Sequence, residues 1–402
     1  MRISTSSLFD VNVNQLGTLQ SNMLTTQQQI STGRRILTPA DDPVAAARAL
    51  QVTQTDATNT QYLSNIGTAK DSASLAEGTL QSVTTLMQNM QTTAVQAGNP
   101  ALADSDRAAL ATSLQTNLNQ LFALANSKDA VGNYLFSGFK GTTQPFAQTA
   151  AGVQYNGDNG QRMTQVSTNE QLATSDSGSN IFMNIKNGNG TFVTQAAATN
   201  GGSGIASSGN VTDPTQLTGN NYQITFTSSN AYDVTNTTTG ASVSTGNAFV
   251  SGQAISFDGM QFDIQGAPAS GDTFTVNPSS NQSVFATISN FITTLNTPSI
   301  KGNPASAAQL TAGVNSALSG MDNALNSVLS TRASLGSRLN ELDALSNTAT
   351  GLGVQYKQTL STLQDVDYNK AITDLTQQQT ILKAAQQSFV QVENLSMFNY
   401  LR

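Results

Sequence analysis

Leu16-Gly17-Thr18-Leu19-Gln20-Ser21-Asn22-Met23-Leu24-Thr25-Thr26-Gln27-Gln28-Gln29-Ile30 is a polar, glutamine-rich stretch in which a large apolar residue returns at every seventh position. Extended outward, the row reads Phe9, Leu16, Met23, Ile30, Leu37. A repeat of seven keeps one narrow stripe of a helix facing a partner, the pattern of coiled-coil packing. The other end of the chain carries rows of the same kind: Leu342, Ala349, Tyr356, Leu363, and then Leu375, Leu382, Phe389. Stripes of matching length at both ends predict an antiparallel pair made from the two termini. The same spacing suits the seam of an ordinary bundle, a signalling rod or a tropomyosin-like dimer. A large β-like middle disfavours the last two.

The punctuation between the rows sets the organisation. A first helix is expected over 8–32, stopped by Gly33 as a left-handed C-terminal residue. After the loop Arg34–Ala40, Asp41-Asp42-Pro43 opens a second helix: a carboxylate accepts first-turn amides, and proline fits where no N–H is needed. That helix is expected to reach about Gln96 with a break or two. Its later half carries the rows Ile66, Ala73, Leu80, Met87, Ala94 and Ala69, Ala76, Val83, Met90, Ala97, whose small residues would admit a neighbouring helix closely. Gly98-Asn99-Pro100 ends it. A third helix over 105–128 places Leu110, Leu114, Leu118, Leu121 and Leu124 on one face.

From Gly141 the period changes to two. Tyr222, Ile224 and Phe226 alternate with polar residues, as do Ile255 with Phe257 and Phe262 with Ile264, around the hairpin signal Asp258-Gly259. Phe274 and Val276 read as a further strand, and Ala196–Asn210 as a loop. Asn156-Gly157-Asp158-Asn159-Gly160 reads as a hairpin turn; as a calcium loop it would need a glutamate where Ser167 stands. Helical spacing returns with Val284, Ile288, Phe291 and Leu295. A long helix follows from about Ala305 towards Asp365, and a last one carries Ile372 to Leu395. The apolar ending, with Phe398 and Leu401, is expected to be buried against neighbours. The fold class is therefore α+β multidomain, a coiled-coil or helical-bundle rod of paired N- and C-terminal helices with an inserted all-β domain. The expected domains are 1–40 with 360–402 (terminal coil), 41–140 with 281–359 (inner bundle) and 141–280 (β insert).

Composition narrows the function. Only 10% of the 402 residues are charged, against roughly 25% in ordinary globular proteins. Either the surface is simply rich in Thr, Asn and Gln, or other protein covers it, since burying unpaired charge is costly. A net charge of −7 argues against nucleic acid and anionic membrane. The chain has no Cys and no His, which removes disulfides, thiolate sites, the usual general base and the commonest metal ligand. No catalytic, cofactor or metal site is expected. The start, Met1-Arg2-Ile3-Ser4, lacks the pattern of a cleaved signal peptide, so export would need another route.

Two blocks carry a resemblance. Gln29-Ile30-Ser31-Thr32-Gly33-Arg34-Arg35-Ile36 with Ala40-Asp41-Asp42-Pro43-Val44-Ala45 resembles the N-terminal signature of the flagellin-like axial proteins of the bacterial flagellum. Arg332-Ala333-Ser334-Leu335-Gly336-Ser337-Arg338-Leu339-Asn340, Asp365-Val366-Asp367-Tyr368 and the closing Leu401-Arg402 resemble the other end of that family. Asn133-Tyr134-Leu135-Phe136-Ser137-Gly138, Pro145-Phe146 and Val153-Gln154-Tyr155-Asn156-Gly157-Asp158 are similar to the hook-associated members. The ending Met397–Arg402 departs from the usual flagellin ending, which favours a junction protein over a filament subunit.

The resemblance implies a non-catalytic wall subunit outside the cell, exported without a cleaved signal peptide and joining hook to filament. The partners it implies are a ring of identical subunits, hook-associated protein 1, flagellin, an export chaperone and the type III export apparatus. The assembly-interface candidates are Leu16, Met23, Ile30, Arg34, Arg35, Leu375, Leu382, Phe389, Phe398 and Leu401. Competing readings are a filament-forming flagellin, and a secreted hydrolase or adhesin. The hydrolase would need carboxylates such as Asp258 and Asp263 to converge in a cleft; the adhesin would need an exposed aromatic or sugar-binding patch.

Overall fold

Among the described residues, helices hold the two ends and strands the middle. The computed structural model describes residues 5–150, 152–298 and 303–394. Helices α1 (Thr5–Thr32), α2 (Pro43–Ala97) and α3 (Asp104–Ala125) come first, and α4 (Val284–Asn296), α5 (Pro304–Gln364) and α6 (Tyr368–Asn394) come last. Gly33 follows α1 at φ 71°, as its stop signal predicts. The expected break in α2 does not occur: it is one helix of 55 residues. Gly67 and Gly78 lie inside it with open space beside them, so each costs about 1 kcal/mol of helix propensity. Burial of Ala69, Ala73, Ala76, Leu80, Val83 and Met87 on one face outweighs that. The row Leu342, Ala349, Tyr356, Leu363 lies on α5, and a second helix begins after Asp365-Val366-Asp367, where the Asp367 carboxylate accepts the amides of Asn369 (3.0 Å) and Lys370 (3.2 Å).

The chain divides into two compact units, residues 1–64 with 345–402 and residues 65–344. The second has two separate cores. One is helical: Leu80, Met87 and Met90 of α2, Leu114 and Leu121 of α3, Phe285, Ile288 and Phe291 of α4, and Met321, Val328 and Leu335 of α5. The predicted faces of α3 and α4 are the ones buried.

Four short strands, β1 (Phe146–Thr149), β2 (Gly152–Tyr155), β3 (Met163–Ser167) and β4 (Glu170–Ala173), form two hairpins, and β5 (Ile185–Lys186) follows. Their aromatics join the helical core. Phe146 stands 5.4 Å from Phe285 and 5.5 Å, edge-on, from Phe182, which is itself edge-on to Phe136. Asn156–Gly160 is a connection between these hairpins and not a hairpin turn, since neither of its glycines has positive φ. Asp158 fixes it by accepting the Phe139 and Gly160 amides at 2.9 Å each, and the first of these bonds holds its carboxyl below the ordinary value of 3.8.

The other core belongs to an outer β domain. Strands β6 (Phe192–Ala196), β7 (Ile205–Ala206), β8 (Asn210–Val211), β9 (Tyr222–Ser228), β10 (Ala231–Asn236), β11 (Ser242–Ala248), β12 (Ala254–Phe257), β13 (Met260–Gln265) and β14 (Thr273–Pro278) form two antiparallel sheets. One has the order β11-β10-β9-β14-β6; in the other, β12, β7 and β8 all pair with β13. Residues Tyr222, Ile224, Phe226, Phe262, Ile264, Phe274 and Val276 fill the space between them. The expected loop Ala196–Asn210 supplies β7. Phe257 pairs with Met260 across Asp258 (φ 44°) and Gly259 (φ 75°), the two left-handed positions of a tight hairpin.

A narrow stem joins this domain to the bundle. It pairs β5 with β15 (Asn281–Gln282), Asn281 opposite Lys186. Asn187 binds Ser279 and Ser280 through both backbone and side chain, its carbonyl accepting the Ser279 hydroxyl at 2.7 Å. From α5, Asn323 donates to the carbonyls of Lys186 and Gly188, both at 2.9 Å.

Candidate functional site

In the first unit α1 and α6 lie against each other in opposite directions. The Phe9 and Phe389 rings are 5.4 Å apart at one end. At the other end the Val366 amide donates to Gly33 O (2.9 Å) and the Arg35 amide to Gln364 O (2.7 Å). Stepping seven residues inward from Phe9 and Phe389 sets Leu16 level with Leu382, and a further seven sets Met23 level with Leu375. The predicted pairing of Phe9–Ile30 with the last row is therefore present. The row on α5 serves α2 instead: Asn59 of α2, 7% exposed, donates to Ala349 O at 2.7 Å.

The stripe is only half covered. Leu16, Met23, Ile30, Leu375, Leu382 and Phe389 are all half-buried, and a groove of about 170 Å³ remains between Leu16, Leu19, Ala385 and Phe389. Phe9 of the stripe itself is exposed, and beside the stripe so are Val11, Val13 and Leu24 of α1, Ile372, Ile381 and Val390 of α6, Leu50 of α2 and Val354 of α5. The second unit buries its large residues far more thoroughly; there Leu80, Met87 and Ile288 are fully covered. Clustered exposed apolar groups mark a surface that other protein covers.

The loop closing the coil is held from within the chain. Arg35 donates to Leu363 O at 2.9 Å and meets Asp42 Oδ2 at 3.4 Å. Asp42 Oδ1 caps α2 by accepting the Ala45 amide (2.9 Å), and Asp41 Oδ2 accepts the amides of Leu37 (2.9 Å) and Thr38 (2.7 Å). The Thr38 bond lowers Asp41 from its ordinary 3.8, and the Ala45 bond, helped by Arg35, lowers Asp42. Arg34 is exposed, has a backbone bridge to Asp365, and its guanidinium has no ion pair among the described residues. The predicted interface residues Phe398 and Leu401 lie outside the described residues.

Two arginines of the Arg332–Asn340 signature have roles that periodicity does not reveal. Arg332 binds Glu77 (2.7 Å), tying α5 to α2. Arg338 grips both oxygens of Asp176 (3.1 and 3.2 Å), with both side chains almost covered. Asp258 and Asp263 are engaged separately: Asp258 accepts the Tyr222 hydroxyl at 2.5 Å and Asp263 the Gln265 amide at 3.1 Å.

Residues 3–141 match the bacterial flagellin N-terminal helical region and residues 318–401 its C-terminal helical region. Residues 195–278, the outer β domain, match the D2-like domain of flagellar hook-associated protein 1. Flagellar hook-associated protein 3 of Salmonella typhimurium is 29% identical over the whole of both chains. The crystal structure of the flagellar junction protein FlgL from Legionella pneumophila is 33% identical, covering 79% of this chain and all of that one, with a TM-score of 0.71. That of FlgL from Xanthomonas campestris is 31% identical, covering 77% of this chain and 99% of that one, with a TM-score of 0.72.

Proposed function

Because the chain belongs to the flagellar hook-associated protein 3 family, we propose that it is a structural axial subunit joining the hook, through hook-associated protein 1, to the flagellin filament. The observation that carries this reading is the half-covered stripe of the terminal coil. A lone helix pair rich in Gln, Asn and Thr gains little from burial, while ordering costs about 1–2 kcal/mol per residue. Copies packed around a common axis would supply the missing cover. In this reading residues 1–40 with 360–402 form the terminal coil, 41–140 with 281–359 the inner bundle and 141–280 the β insert. Leu16, Met23, Ile30, Leu375, Leu382, Phe389, Phe398 and Leu401 would be shared between subunits. Arg35 serves chiefly within the chain, and Arg34 is open to a neighbour's carboxylate.

The proposed partners are identical subunits, hook-associated protein 1, flagellin, an export chaperone and the type III export apparatus. The proposed place is the hook–filament junction outside the cell, and the proposed role is structural and not catalytic. Immunolabelling of sheared flagella tests this. Label confined to the distal end of the hook is the expected result, and label along the filament overturns it in favour of a flagellin. Long fibres grown from the purified protein alone would point the same way.

A further inference from the structure

The outer β domain and the helical bundle of the second unit each have their own core, and neither core includes a residue of the other. The stem that joins them has a fixed foot, where Asn323 of α5 donates to the carbonyls of Lys186 and Gly188. Asn187 is bonded to Ser279 and Ser280, whereas Asn189 donates to the carbonyls of Ser208 and Gly209 in the outer domain. The chain therefore passes from foot to domain at Gly188, whose φ is 59°. Beside the stem the two bodies stand apart, leaving a cleft of about 620 Å³. That is room for at least about twenty waters at about 30 Å³ each. Its walls are Val193 and Gln195 of β6 on one side and Asn290, Thr294, Gly313 and Ser316 of α4 and α5 on the other. Among the described residues no charged side chain lines it. Neither close packing nor ion pairing draws the two walls together.

Away from the foot a hydrogen bond crosses the cleft. Gln309 of α5 donates to Ala198 O at 2.8 Å, and both residues are exposed. The loop that carries Ala198 belongs firmly to the outer domain: the Ala197 amide and Asn200 Nδ2 both donate to Thr273 O, and the Thr273 amide donates to Asn200 Oδ1. Gln309 stands about 21 Å along α5 from Asn323, at 1.5 Å per residue. With that lever, a turn of about 15° about the foot carries the far side of the domain about 5 Å, enough to part the bond. An exposed bond between neutral groups is a modest tie, which water can replace.

We propose that the outer β domain is a hinged body, pivoting at Gly188 and at Ser279–Ser280, and that Gln309 is the latch that holds it against the bundle. With the latch made, the cleft is narrow, as seen here. With the latch broken, the domain swings away and the cleft widens, while both cores and the foot stay intact. A hinge needs only a few residues outside regular structure to absorb the change. The latch sets how the chain divides between the two positions. The device is built into a single chain and does not depend on what the chain assembles with. It lets an unchanged bundle present the outer domain in two orientations.

The chain has no Cys, so spin labels can be placed at will. Full-length chains carrying Val95→Cys with Val250→Cys, or Val95→Cys with Thr199→Cys, are labelled and measured by double electron–electron resonance; all three positions are exposed. Two pairs are used because a rotation that preserves one separation changes the other. Two separations are expected in at least one pair, with the latched one favoured. Gln309→Ala should raise the ratio of open to latched about threefold to tenfold, the scale of one net hydrogen bond. Gln309→Glu keeps the length and loses the donor, so it should do the same. A single narrow separation in every chain, with circular dichroism showing all of them folded, would overturn the hinge. Two populations whose ratio ignores both substitutions would overturn the latch, and so would a shift with Gln309→Ala that Gln309→Glu does not share.

Discussion

Truncating Phe389 and truncating Phe291 should separate assembly from folding. Phe291 is 2% exposed in the helical core of the second unit. Removing such a ring costs about 3–5 kcal/mol through lost burial and the cavity left behind. Phe389 is half-buried, with one ring neighbour at 5.4 Å and a groove already open beside it. Its loss from the isolated subunit should cost only about 1–2 kcal/mol, about half a burial and one aromatic pair. In the assembled state the same ring would be covered by neighbouring subunits, so the remaining burial is realised there. Urea unfolding of Phe291→Ala and Phe389→Ala, followed by circular dichroism, gives the first quantity. Quantitative labelling of hooks gives the second. The expected pattern is a large stability loss with Phe291→Ala, and a small one with Phe389→Ala accompanied by tenfold or greater loss of incorporation. Equal incorporation of Phe389→Ala and the parent chain would refute the assignment of the coil as an assembly surface.

Arg338→Ala strands the almost covered Asp176 carboxylate and should cost about 2–4 kcal/mol in urea unfolding, whereas exchanging both residues for apolar ones should cost much less. Gly259→Ala places a methyl 2.2 Å from Asp213 O at a φ of 75°, so the outer domain should lose more than about 1 kcal/mol, read by its tyrosine near-ultraviolet signal. Asp41 and Asp42 have depressed folded values, so their contribution is present above the unfolded value of 3.8 and lost as pH falls through the lower folded values. The protection of the Leu37, Thr38 and Ala45 amides, measured against their intrinsic exchange at each pH, should fall across that window, and in Asp41→Asn the Leu37 and Thr38 amides should be poorly protected at neutral pH. In the free subunit the amides of α1 and α6 should exchange far faster than those of α4, whose Ile288 and Phe291 are sealed.

The coil and its register were legible because a seven-residue row survives any choice of neighbour. Gly33, Asp42-Pro43 and Asp258-Gly259 marked their turns for local reasons of backbone geometry. The unbroken course of α2 was hidden, since whether Gly67 and Gly78 end a helix depends on burial that only the folded bundle supplies. The destination of Phe146 and Phe182 was hidden as well: alternation says that a side chain is buried, and not in which of two cores. Arg338 and Asp176 are 162 positions apart, and no local pattern joins them. The division of the two C-terminal rows between α2 and α1 follows from the short interruption at Asp365–Asp367, too brief to announce a change of partner.

The stem at Lys186–Asn189 and Ser279–Asn281 brings two distant points of the chain side by side. Everything hung beyond that doorway can lengthen, shrink or be exchanged for an unrelated module while the bundle stays closed beneath it.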